Sequence, residues 1–173
     1  MLTVGIGDSA AARVHFLAAV FLSALTLVIP NRGRADFSDG LAAYDAGQYS
    51  QAVQYWNPLA LAGDRDALVA MAELLEKGQG VRKDISAARR YYRLAAQAGS
   101  AVGQINLADY LERGAGGEAD YVEALVWYGI AARKGNRWAC AQYNRLYAGS
   151  GTVARQAADN LLQDILRDFP ALQ

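Results

Sequence analysis

Tyr91–Ser100 reads YYRLAAQAGS, and 36 residues later Trp127–Asn136 reads WYGIAARKGN. Both carry an aromatic pair, an alanine pair four residues on, and a glycine that closes the phrase. Extending the comparison without a gap sets Gly63–Ala98 against Gly99–Lys134. Gly78 then pairs with Gly114, Gly80 with Gly116, Asp84 with Asp120 and Ala88 with Ala124. One more step of 36 back meets Ala52, Tyr55, Trp56, Leu59, Ala60 and Gly63, a third and weaker copy. A fixed period of this length marks a repeat array, in which each unit buries its apolar face only against its neighbours.

The spacing within a unit is helical. Positions 88, 91, 92, 95 and 96 follow i, i+3, i+4, i+7, i+8, an apolar stripe on one helix face. The aromatic pair is expected to fill the space between hairpins, with Trp127 in the seam, while the alanines let backbones approach. Asp84 and Asp120 stand where this second helix begins and are expected to cap it; Asp120 with Glu123 has capping-box spacing. Gly78 and Gly114 end the first helix, and Gly63, Gly99 and Gly135 the second, as left-handed C′ residues. KGQGVRKD and RGAGGEAD lack the spacing and strand context of phosphate-binding loops.

These phrases, with their Gly-x-Gly loops, Asp84 and Asp120, Ala88 and Ala124, and the aromatic and alanine pairs, resemble the Sel1-like repeat family, relatives of the tetratricopeptide repeats. The resemblance covers about Ser38 to Tyr147. It implies an all-α fold of α-α hairpins stacked into a right-handed superhelical solenoid, a concave side that grips partner proteins, and usually no catalysis. The units are a cap unit at 38–63, repeats at 64–99 and 100–135, and a divergent C-terminal hairpin at 136–169.

The chain departs from the family pattern in places. Gly117 replaces the apolar residue that Val81 supplies one unit earlier, so that loop is expected to pack more loosely. The cap unit has a shortened loop at Gly47, and Pro58 is expected to kink its second helix or delay its start. Beyond Gly135 the register slips by two. The last segment, VARQAADNLLQDILRDF, replaces the signature with a stripe of Val153 or Ala154, Ala157, Leu161, Ile165 and Leu166, with Thr152 as N-cap and Pro170 as stop.

The N-terminus is a separate object. Arg13 precedes an uncharged apolar run, Val14–Ile29, closed by Pro30. Spanning a membrane takes about 20 apolar residues, so the run has signal-peptide length rather than that of a permanent anchor. Gly33 and Ala35 suit a signal peptidase, and residues 1–35 are expected to be cleaved after Ala35. Export to the periplasm or beyond follows, with no integral span after processing. The mature chain would have 14 basic and 16 acidic residues and no histidine, the only one being His15. Such near-neutrality offers no field for nucleic acid.

Without histidine, His-assisted nucleophiles and His-ligated metals are absent, and neither Ser-x-x-Lys nor Gly-x-Ser-x-Gly occurs. No catalytic residue, metal or cofactor is expected. By analogy with tetratricopeptide domains the first helix of each unit lines the concave face. Its polar residues, Glu73 and Lys77 and then Asn106, Asp109 and Arg113, are the candidate partner-binding set, although Glu73/Lys77 and Asp109/Arg113 also have simple i, i+4 ion-pair spacing. Arg89, Arg90 and Arg93, with Arg82 and Lys83, read as a solvated outer face. Cys140 is expected to be buried. The function expected is an exported adaptor or regulator binding an envelope protein or peptide in its groove. The alternative is a carbohydrate- or peptidoglycan-associated binding protein or hydrolase, because ten tyrosines exceed the needs of the stripes. That alternative requires Tyr44, Tyr49, Tyr110 and Tyr121 to line one exposed surface.

Overall fold

The computed structural model describes residues 36–173; the apolar run and the cleavage site expected after Ala35 fall outside that range or on its edge. The described chain is all α-helical, without strands. Three second-to-first connections set the period. α2 (Tyr49–Leu61), α4 (Ile85–Gln97) and α6 (Tyr121–Arg133) are joined to α3 (Arg65–Lys77), α5 (Ala101–Arg113) and α7 (Arg137–Gly149) by three residues each, and all six helices have 13 residues. α1 (Phe37–Asp45) precedes them, and α8 (Thr152–Asp168) and a 3₁₀ turn (Pro170–Leu172) follow.

Each three-residue connection does two jobs. Gly63, Gly99 and Gly135 adopt φ of 84°, 86° and 87°. There the amide of the glycine bonds the carbonyl three residues back and that of the next residue the carbonyl five back; for the middle connection these are Ala96 at 3.0 Å and Ala95 at 2.9 Å. This is the Schellman closure of a helix end. The residue that completes it, Asp64, Ser100 or Asn136, then caps the following helix through its side chain. The alanine pair and the glycine thus end one helix in the same turn that starts the next.

The longer loops seven residues in length, after α3 and α5, lean on the preceding hairpin. A Cβ on Gly80 would lie 2.5 Å from the Tyr49 carbonyl carbon, and one on Gly116 2.6 Å from the Ile85 carbonyl oxygen, so each loop nests against the first turn of the previous second helix. Asp84 and Asp120 cap as expected, accepting from Ala87 N at 2.8 Å and Glu123 N at 2.9 Å. The reciprocal half of the capping box does not form. The Asp120 amide donates to the Leu111 carbonyl, and the Glu123 carboxylate is held by Arg93 of α4, at 2.6 and 2.9 Å, and by the Trp127 indole N–H at 3.0 Å.

That ion pair also corrects the solvated-arginine reading. Arg93 ties α4 to α6, and Arg89 donates to the Glu118 carbonyl at 2.9 Å; Arg82, Lys83 and Arg90 are exposed. Nor is the second loop loose. The Arg89 guanidinium occupies the space that a Cβ on Gly117 would enter. One unit earlier the two corresponding positions are Val53 and Val81, both half-buried against the same apolar cluster. An apolar pair has become a guanidinium over a glycine.

The core runs along the stack through Ala88, Tyr92, Ala96, Leu107, Leu111, Ala124, Trp127, Tyr128 and Ala131, all nearly inaccessible. Gly103 permits the tightest approach, since a Cβ there would stand 2.7 Å from that of Ala95. Pro58 does not delay α2, which begins at Tyr49 and runs through it; the lost N–H leaves only the Gln54 carbonyl without its intrahelical donor.

The C-terminus departs furthest from expectation. Gly151, not Thr152, is the N-cap of α8, with no side-chain cap bond, and the buried stripe passes through Ala158 rather than Ala157 while Val153 is exposed. Only two residues separate α7 from α8, and α8 packs chiefly on α6, so 136–169 is not a closed hairpin. Its tail reaches back. Leu172 is buried near Gly99, and Phe169 sits by Leu61, Leu94 and Ala98.

Trp127 is 1% exposed. Trp127→Ala should cost about 3–5 kcal/mol through the cavity it leaves, and it also removes a donor from Glu123. Because α8 rests on α6, hydrogen exchange is expected to accelerate in α6–α8 before α1–α3. Uniform acceleration along the chain would contradict a stack coupled through nearest neighbours.

Candidate interaction surface

The four first helices repeat one pattern of positions. At the first, 36 apart, stand Phe37, Glu73, Asp109 and Arg145; one helical turn on stand Leu41, Lys77, Arg113 and Gly149. The expected ion pairs form: Lys77 Nζ is 3.7 Å from Glu73 Oε2, and Arg113 Nε donates to Asp109 Oδ2 at 2.9 Å. Each cation also meets a tyrosine. Lys77 donates to the Tyr44 hydroxyl at 3.0 Å, and the Arg113 guanidinium lies 5.5 Å from the Tyr110 ring centre. Asn106 is half-buried on α5, one turn before Asp109.

Beneath these pairs lies a second polar row that the sequence reading missed. The Tyr92 hydroxyl donates to Glu76 at 3.2 Å and the Tyr128 hydroxyl to Glu112 at 3.4 Å, one bond per hairpin. Arg145 of α7 then grips Glu112 with one nitrogen, at 2.6 and 2.8 Å. The 36-residue spacing of Glu76 and Glu112, matching that of Tyr92 and Tyr128, was the available signal. In the cap unit the same positions hold Gly40 and Trp56. The larger indole fits because Gly40 has no Cβ, which would lie only 2.1 Å from the indole nitrogen, and its N–H donates to the Phe37 carbonyl at 3.1 Å.

Two depressions flank this surface. At the N-terminal end a groove of about 350 Å³ lies among α1, α3 and the start of α5, with Phe37, Leu41, Val69 and Val102 as its apolar lining. At the other end the splay of α8 from α7 opens a cleft of about 350 Å³ over α6. Cys140 faces that cleft and is exposed, contrary to the expected burial, because no helix covers its side of α7. Among the described residues no cluster of His, Cys, Asp and Glu is arranged to hold a metal ion. No described helix is long and apolar enough to cross a membrane.

The tyrosines do not form an exposed row. Tyr110 is buried edge-on to Tyr92 at 5.1 Å, Tyr44 and Tyr49 are half-buried edge-on to each other at 5.2 Å, and of the four only Tyr121, at 59%, is exposed.

Residues 65–100 and 101–136 each match the Sel1 repeat model. The chain carries two Sel1 repeats. Each begins on the first residue of a capped first helix, Arg65 or Ala101, and ends on the cap of the following one, Ser100 or Asn136. A protective antigen present in uropathogenic Escherichia coli strains, solved as an SLR fold, superposes with a TM-score of 0.72 at 25% identity, over 79% of this chain and 30% of the antigen. A Sel1 repeat protein from Oxalobacter formigenes superposes with a TM-score of 0.60 at 27% identity, over 77% of this chain and 57% of that protein. The chain therefore spans about a third of the one and rather more than half of the other. No curated protein matches it by sequence. Sel1 repeats build α-α hairpin solenoids that generally serve protein–protein interaction rather than catalysis.

Burial within the Sel1 repeats, with Glu76 beside it, raises the Tyr92 hydroxyl well above the ordinary tyrosine range; burial and Glu76 do the same for Tyr110, and burial and Glu112 for Tyr128. The folded state thus holds these protons after the unfolded chain releases them. Their contribution is complete below about pH 10, the unfolded tyrosine value, and is lost as pH rises above it. Thermal unfolding followed from pH 8 to 11.5 should show a falling Tm above about pH 10, with tyrosinate absorbance from these residues appearing only as the chain unfolds.

Proposed function

We propose that the protein is an exported adaptor or regulator of the bacterial envelope, working in the periplasm or outside the cell, that holds a segment of a partner protein against its first-helix face. The observation that carries this reading is the ladder itself. Glu73–Lys77 and Asp109–Arg113 stand in the same register on successive Sel1 repeats, with half-exposed side chains. A regular row of donors and acceptors suits an extended peptide that crosses successive units. The apolar run Val14–Ile29 with Gly33 and Ala35 supports export. Both similar solved proteins are bacterial, and the antigenic one is in keeping with a setting outside the cytoplasm. We assign no catalytic step. The packed tyrosines leave the carbohydrate reading without the exposed row it needs.

Glu73→Ala with Asp109→Ala removes exposed charges worth little to stability, so the melting temperature should stay within about 2 °C while capture of the envelope partner by crosslinking falls. Equal capture by the double variant would refute the ladder. The intact mass of the exported protein should lack residues 1–35; a membrane-bound species that retains the apolar run would overturn the processing step.

A further inference from the structure

Where later units place ion pairs, the cap unit places Phe37 and Leu41, in register with Glu73–Lys77 and Asp109–Arg113. The polar ladder ends in the apolar groove of α1, α3 and α5. Leu41 is 44% and Val102 51% exposed there, although the remaining apolar lining is built into the core of the cap unit through Trp56. The groove has room for one large side chain. Two carboxylates, Asp66 and Glu73, line it and no cation does.

The wider field has the same sign. Residues 36–80 carry seven acidic side chains against two basic ones, Arg65 and Lys77, whereas residues 81–173 carry nine against twelve. Lys77 is already engaged by Tyr44 and Glu73, and Arg65 lies 3.9 Å from Asp66. Both rim carboxylates thus hold a cation, and it is the surplus of five acidic charges in residues 36–80 around the apolar hollow that disfavours acidic segments and selects a basic one.

We propose that this groove is the anchor site for a partner segment bearing one large apolar side chain flanked by lysine or arginine. The proposal rests on the reading of the first-helix face as a partner-binding surface and adds the chemistry of what that face selects. The apolar side chain enters between Leu41 and Val102, and its basic neighbours lie in the acidic field of residues 36–80, beside the Asp66–Arg65 and Glu73–Lys77 pairs. The rest of the segment continues along the ladder toward Asp109.

The test uses fluorescein-labelled twelve-residue peptides and the protein as purified from expressing cells. One peptide has a central Trp between lysine pairs, a second the same Trp between glutamate pairs, and a third Ala between lysine pairs. The first is expected to bind at least about tenfold more tightly than either of the others, as loss of a central anchor costs, and to weaken as salt rises. Leu41→Lys and Val102→Lys, both at exposed positions, should each weaken that binding about tenfold without lowering the Tm; a variant that lowers it is replaced by Asp66→Asn read against the salt dependence. Equal binding of the glutamate-flanked peptide, or unchanged binding by the groove variants, overturns the proposal. Partner capture that survives Val102→Lys but not Glu73→Ala with Asp109→Ala also overturns it while leaving the ladder intact. Loss of capture in neither set removes both readings. Self-association in sedimentation that Val102→Lys abolishes would make a second copy the occupant and likewise overturn it.

Discussion

The structure depends on one turn used three times. At Leu59–Asp64, Ala95–Ser100 and Ala131–Asn136 the carbonyls of two residues near a helix end accept the amides of a glycine and of its successor, and that successor caps the next helix. Ending one helix and beginning another within the same three residues leaves the chain almost no freedom in how consecutive hairpins meet. The glycine is required because its φ near +85° carries a Cβ penalty for other residues. The alanines allow the neighbouring first helix to approach, as the tight fit of Gly103 against Ala95 and Ala96 records.

With that junction fixed, the hairpins differ by compensated exchange. Gly40 with Trp56 fills the volume that later hairpins fill with a glutamate and a tyrosine bonded to each other. Val53 with Val81 becomes Arg89 with Gly117. In each exchange one position is reduced to glycine where the other is enlarged, so the space remains filled, which is what close packing demands when the backbone frame is held constant. Glu123 shows the same economy: freed from the capping box by the Asp120 amide bond to Leu111, its carboxylate links Arg93 to Trp127 and so joins successive second helices.

The surface follows from the frame. Positions on the first helices that face away from their neighbours recur every 36 residues, so substitution there alters chemistry without altering architecture. The run from Phe37 and Leu41 through two ion pairs to Arg145 is such a row, grading from apolar to charged along the stack. At the C-terminus the frame is released. After the two-residue link α8 does not return along α7, and its apolar stripe instead covers α6, with Phe169 and Leu172 closing over older turns.

The 36-residue register determined most of the fold by itself: the helices, the glycine ends, the aspartate caps and the inward aromatic pair all follow from local periodicity and backbone preference, which need no knowledge of neighbours. The candidate ladder was legible for the same reason, since Glu73, Lys77, Asp109 and Arg113 lie on one helix face by spacing alone. The Tyr–Glu bonds beneath it, the hold of Arg93 on Glu123 and the apolar groove were not, because each joins residues 16 or more apart through space. Cys140 was misjudged because its burial would depend on whether a later helix covered α7. A side chain's place on a helix is a matter of period, but whether that face meets another helix, a guanidinium or solvent is decided only when the elements pack.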